Sequence, residues 1–176
     1  MRRVVIADAG PLIGLARIGQ LDLLPQLFGT VSVTAWVAGE VLAIGDFPDH
    51  AALQNAFTQP WLQTVTAADA NDEVWQAQCQ AMIHLHQIDM GEASALVLAQ
   101  QLAALGDAAL LLIDDFRGRE AAHHSGVAAM GTAGVLLMAK QAGAITVVKP
   151  LLIALRKEGY FLSDRLMAAV CQQAGE

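Results

Sequence analysis

The chain has 176 residues, 55% of them hydrophobic and only 15% charged, with a net charge of -7. This length fits one domain, residues 1–176, able to bury about 70% of the surface its unfolded form exposes. The acidic balance excludes a general attraction to nucleic acid, so any such role must be local.

No purely apolar stretch is longer than Ala108–Ile113, which falls far short of the roughly 20 residues that span a membrane, and no membrane segment is expected. Met1-Arg2-Arg3 is basic, but the apolar run behind it stops at Asp8 with no small-residue cleavage site; a cytoplasmic protein is expected. Cys79 and Cys171 stand 92 positions apart without a CxxC pairing, which excludes a disulfide framework and a zinc site and marks both as core thiols. So apolar a composition implies a large core or a buried oligomer face, and a homodimer is expected.

Val4–Ala7 is a short apolar run ending at Asp8, the pattern of a buried parallel strand, with a turn expected at Gly10-Pro11. Leu12, Leu15, Ala16 and Ile18 suit a short helix, and Leu21, Leu24, Leu27 and Phe28 a second one broken by Pro25 near its start. Thr30–Val33 reads as strand two. Trp36, Val37, Val41 and Leu42 recur at helical spacing, with Glu40 at the border of that apolar face. A helix over Asp49–Phe57, a strand over Trp61–Val65 and a long helix over Asp69–Leu85, with Val74, Trp75, Met82 and Ile83 inward, follow.

Gly91–Leu102 reads as a helix, Ala109–Ile113 as a buried strand, Arg119–His124 as a short helix, Gly126–Met130 as a strand and Thr132–Ala142 as a helix. Pro150–Lys157 and Ser163–Gln173 close the chain as helices, the last capped by Ser163. Alternation of strand and helix favours a parallel sheet with helices on both faces, whose ligands bind beyond the carboxyl ends of the strands.

That rim is where the acids fall. Asp8 and the Asp114-Asp115 pair each follow a buried strand. Successive strand side chains face opposite ways, so the pair shares a site only if the chain has already left the strand; one acid would then hold the ligand and the other support it. Glu92 lies in the first turn of its helix, where the dipole favours a carboxylate by about 0.3–1 kcal/mol, which is also its purely structural explanation. For Glu40 the structural alternative is a solvated helix face, and for Asp8 a turn residue bonding to nearby amides. Together the acids point elsewhere: carboxylates about 4 Å apart repel by roughly 4 kcal/mol per pair at an effective dielectric near 20. Such a cluster wants a cation, and hard oxygen ligands suit Mg2+ or Mn2+ rather than zinc.

At these residues the sequence resembles the PIN-domain superfamily, in particular its prokaryotic PIN-like branch. The matching segments are Val5–Ile13, Val37–Val41, Gly91–Ala95, Ile113–Arg119 and Gly131–Leu136, in the expected order across nearly the whole chain. The resemblance implies a three-layer α/β/α fold with a central, mostly parallel sheet and a metal-dependent ribonuclease site, often in the toxin half of a toxin–antitoxin pair. By position it makes Asp8, Glu40, Glu92 and Asp115 the four acids of catalysis, with Asp8, Glu92, Asp114 and Asp115 as metal ligands. Two departures stand out: the third acid is more often Asp, with Asp89 here as an alternative to Glu92, and Ile113 replaces a polar residue beside a doubled Asp.

Arg117 and Arg119 follow the acidic pair and suit a substrate phosphate, although Arg119, four positions after Asp115, also suits a helical ion pair with it. Thr132 either caps its helix or reaches a metal-bound water. His84, His86, His123 and His124 lack zinc spacing, and Trp36, Trp61 and Trp75 read as core. A phosphotransferase with Asp8 as nucleophile would want a second acid two residues on, where Gly10 stands. The expected partners are RNA and a small antitoxin; an inactive PIN-like interaction module is the alternative.

Overall fold

Val5, Ile6 and Ala7 are almost wholly buried, which only the middle strand of a sheet covered on both faces achieves. In the computed structural model, which describes residues 3–43, 50–65 and 72–176, this strand is β1 (Arg3–Ala7), flanked by β2 (Val31–Thr34) and β4 (Ala108–Leu112). Outside them lie β3 (Leu62–Val65) and β5 (Ala128–Met130), giving the order β3-β2-β1-β4-β5. Every pairing is parallel, with Val5 opposite Leu110, Ala7 opposite Leu112 and Leu112 opposite Met130.

Strand alternation sorts the apolar residues into two cores. Val5, Ala7, Leu110 and Leu112 face one core, closed by α1 (Ala9–Arg17), α2 (Leu23–Phe28), α3 (Ala35–Ala43), α4 (His50–Phe57), α8 (Thr132–Gln141), α9 (Lys149–Lys157) and α10 (Asp164–Ala174). Ile6, Leu111 and Ile113 face the other, closed by α5 (Glu73–His86), α6 (Met90–Ala104) and α7 (Phe116–His124). This is the expected three-layer α/β/α arrangement, with a sheet that is wholly rather than mostly parallel.

Several local expectations change. Gly10 and Pro11 form no turn: α1 begins directly after Asp8 and Pro11 sits in its first turn, where a missing N–H costs nothing. Pro25 likewise lies inside the first turn of α2 and does not break it. Val74 is 68% exposed, while its neighbour Trp75 is 1% exposed and Cys79 is buried. Trp36 is not core but 43% exposed on α3, Trp61 is half-buried, and Cys171 is only half-buried. The first residue expected in the helix Asp49–Phe57, and residues 69–71 of the one expected over Asp69–Leu85, lie outside the described residues. Among the described residues no helix is long and apolar enough to cross a membrane.

Candidate metal centre

The strand order reverses its winding between β1 and β4, and the crevice beyond that switch point is where a doubly wound sheet binds ligands. Asp8 leaves the end of β1 as the residue before α1, its amide bonded to the Leu112 carbonyl at 2.9 Å and its side chain making no cap bond. It is 8% exposed. β4 ends at Leu112, so the chain has left the strand before Asp114 and Asp115, and the two part company.

Asp114 turns toward Asp8. A Cβ added to Gly10 would lie 3.7 Å from Asp114 Oδ2 and 3.8 Å from Asp8 Oδ2, which places both carboxylates around that bare backbone. Thr132 holds Asp114 there: its amide donates to Oδ1 at 2.7 Å and its hydroxyl to Oδ2 at 2.6 Å. Thr132 therefore does not cap α8, whose N-cap is Gly131. Asp115 is exposed and caps α7, its Oδ1 accepting from the amides of Arg117 at 2.7 Å and Gly118 at 3.0 Å. Ile113 is 1% exposed and packs in the second core beneath Gly118.

On the other side of Asp8 stands the start of α6. Asp89 caps it, accepting from the Glu92 amide at 2.9 Å, and Glu92 Oε2 accepts from the Asp89 amide at 3.0 Å, a reciprocal capping box. Gly91 between them leaves room for three acids: a Cβ there would meet Glu40 Oε2 at 2.8 Å, Asp89 Oδ1 at 3.3 Å and Asp8 Oδ1 at 3.6 Å. Glu40 thus leans from α3 across Gly91. Glu92 is 7% exposed, with its Oε1 3.4 Å from the position of a Cβ on Gly118. The Asp8, Glu40, Glu92 and Asp114 carboxylates line one rim, joined by Asp89, with Asp115 at its α7 edge.

Burial dominates the electrostatics of these carboxyls. Burial, and then repulsion from Glu92, Asp89 and Glu40, pushes Asp8 up to about 7 against an opposing Ala9 amide. Burial also pushes Glu92 to about 7; the Asp89 amide opposes, and Asp89, Asp115 and Glu40 add repulsion. Glu40 is raised by burial of its carboxyl and by Asp89. Asp114 is raised by burial although Thr132 and Arg119 pull the other way.

Among the described residues no three His, Cys, Asp or Glu side chains stand close enough to hold an ion as arranged. The donors nevertheless fit a hard divalent cation in kind: all are carboxylate oxygens, and a buried Asp8 without a side-chain cap bond is charge that a cation would neutralise.

The remaining expected residues are placed as follows. Arg119 donates to the Asp114 carbonyl rather than pairing with the Asp115 side chain. Arg117 reaches back to Gln87, donating to its Oε1 at 3.1 Å and its carbonyl at 3.4 Å. Sequence reasoning missed Thr34 and Ser94, whose hydroxyls bond at 2.7 Å while Ser94 donates to the Gly91 carbonyl and Thr34 accepts from the Val37 amide. This buried pair seats α3 and α6 against the end of β2.

Residues 4–176 match a family described as a PIN domain. The chain belongs to the PIN-domain family. No curated relative matches it. As a PIN domain it falls within a family of nuclease and nucleic-acid function.

Proposed function

We propose that this PIN domain is a divalent-metal-dependent endoribonuclease whose centre is the rim of Asp8, Glu40, Glu92 and Asp114, with Asp115 at its edge. The observation that carries the reading is the gathering of Asp8, Glu40 and Asp89 around Gly91, with Asp8 and its neighbour in the rim Glu92 both buried; burial first raises both carboxyls to about 7, with repulsion from Glu92, Asp89 and Glu40 added on Asp8 and from Asp89, Asp115 and Glu40 on Glu92. A fold does not keep such charge for stability; it suits a site that receives a cation. Asp8, Glu92 and Asp114 would hold Mg2+ or Mn2+, with Asp115 adjoining. When bound, that cation supplies activation of water and neutralisation of charge on a phosphate. Thr132 keeps both oxygens of Asp114 oriented, Glu40 adds a carboxylate at the open side, and Arg119 brings positive charge beside the rim for the substrate phosphate. The physiological setting is the toxin half of a toxin–antitoxin pair in the cytoplasm, acting as a homodimer. Trp36 and Leu42, 43% and 41% exposed on α3, offer apolar surface to a small antitoxin.

One observation favours the inactive interaction module instead: Asp89 and Glu92 close a capping box, Asp115 caps α7, and Asp114 anchors α8, so most of the acids have structural work. Labelled structured RNA incubated with the protein in Mn2+ or in EDTA separates the two. Cleavage that needs Mn2+ and is lost in Asp8→Asn supports the nuclease; a folded protein that neither cleaves nor binds Mn2+ supports the module.

A further inference from the structure

Asp8 differs from its neighbours in how it is held. Thr132 fixes Asp114, the capping box fixes Glu92, and two α7 amides fix Asp115. Asp8 makes no side-chain cap bond, so the backbone on either side of it sets its direction. On the strand side that backbone is tied down by the bond from the Asp8 amide to the Leu112 carbonyl. On the helix side the tie comes from far along the chain.

Tyr160, the single tyrosine of the sequence, stands in the connection between α9 and α10, and its hydroxyl donates to the Gly10 carbonyl at 2.7 Å across 150 positions. A carbonyl has two lone pairs, so one in a helix can accept a phenol in addition to its bond along the helix. Gly10 is the backbone around which Asp8 and Asp114 gather, with both Oδ2 atoms within 3.8 Å of where its Cβ would be. The phenol is itself held. Its own amide donates to the Leu155 carbonyl at 3.1 Å, Arg17 donates to the Glu158 carbonyl before it at 3.2 Å, and Arg156 to the Leu162 carbonyl after it at 2.6 Å. Gly159, at φ 90, makes the left-handed turn out of α9 that leads into it. The ring lies on Gly14, one helical turn beyond Gly10: a Cβ there would be 2.8 Å from Cζ and 3.0 Å from the hydroxyl.

We propose that Tyr160 is a positioning residue of the acidic rim: through Gly10 its hydroxyl fixes the start of α1, and with it the direction of Asp8 relative to Asp114. Its service to a cation rests on the metal-centre reading; its hold on Asp8 does not. The contact can be broken from either side. Tyr160→Phe keeps the ring and removes the hydroxyl. Gly14→Ala keeps the hydroxyl but puts a methyl where the phenol lies, and the far end of a side chain yields before helix backbone does, so the ring is displaced and α1 stays.

Carboxyl 13C spectra in EDTA and Mn2+ titration followed by electron paramagnetic resonance, both on the whole protein, test this. In EDTA each variant is expected to move the Asp8 carboxyl resonance and to leave that of Asp115, at the α7 edge, in place. Each should weaken Mn2+ binding by about tenfold while folded by circular dichroism, and the double variant should be no weaker than either single one, because both changes break one contact. Phe161→Ala, next door and 93% exposed, is expected to match the parent in both measurements. An Asp8 resonance unmoved in both variants, an equal shift at Asp115, variants that bind Mn2+ like the parent, or losses that add in the double variant would overturn the proposal. A parent that binds no Mn2+ defeats the metal-centre reading alone, and the Asp8 resonance then decides the role of Tyr160 by itself.

Discussion

Replacing Asp8 by Asn is expected to stabilise the metal-free protein at alkaline pH while removing its activity. Asp8 is raised from its ordinary 3.8 to about 7, so between those values the folded chain holds a proton that the unfolded chain has lost. Stability from this group is therefore fully present below about pH 4 and drains away as pH rises to about 7. The loss grows by about 1.4 kcal/mol per pH unit, reaching about 4 kcal/mol at pH 8. Asn keeps the shape and discards the charge, but its buried amide costs about 1–3 kcal/mol where its hydrogen bonds are incomplete. The absolute gain is thus modest. Its change with pH is larger: the effect of Asp8→Asn on stability should rise by about 2.5 kcal/mol between pH 5 and pH 8, or about 5–10 °C in Tm for a chain of this size. Calorimetric melts of both proteins in EDTA at the two pH values measure it. Equal Tm differences at pH 5 and pH 8, or a variant that loses more stability at pH 8, would refute the reasoning.

Three other outcomes follow from the same geometry. Asp115→Ala should cost about 1 kcal/mol through the lost α7 cap, while Asp115→Asn keeps the cap bonds and most of the stability; urea unfolding beside an RNA-cleavage assay then tells whether its charge does more than cap. Gly118→Ala puts a Cβ 2.3 Å from Ile113 Cδ1 in the closed second core, so overpacking outweighs the helix propensity gain and stability falls by about 1–2 kcal/mol; a stabilised variant in the same unfolding assay would contradict that packing. Cys79 is buried, with its thiol pushed up to about 11, whereas Cys171 is half-buried. Alkylation followed by mass spectrometry should label Cys171 in the native protein and Cys79 only after unfolding.

Much of this architecture was legible because a short apolar run closed by an acid suits a buried strand that ends at a polar rim and little else. Val4–Ala7 before Asp8 and Ala109–Ile113 before Asp114 put two strands and their acids at one rim, and β1 and β4 pair there as neighbours. What escaped depends on residues distant in sequence. The Thr132 hydroxyl serves Asp114, 18 positions away, and no local pattern separates that from a helix cap. α3 is apolar nearly all round, so spacing alone could not tell that Trp36 lies half out while Val37 is buried. The close approaches at Gly91 and Gly118 come from what surrounds them in space. One signal was present and unread: Asp89 and Glu92, three apart before an apolar run, have the spacing of a capping box, which makes Asp89 a member of the acidic rim as well as a possible substitute for Glu92.

If Asp8 and Glu92 are buried together to receive a cation, Mn2+ binding followed by electron paramagnetic resonance at pH 8 shows it most directly. The protein should bind Mn2+, and Asp8→Asn and Glu92→Gln, both still folded by circular dichroism, should each weaken that binding by about tenfold or more. Failure of the parent protein to bind Mn2+, or binding that neither substitution alters, would contradict that role for the two acids.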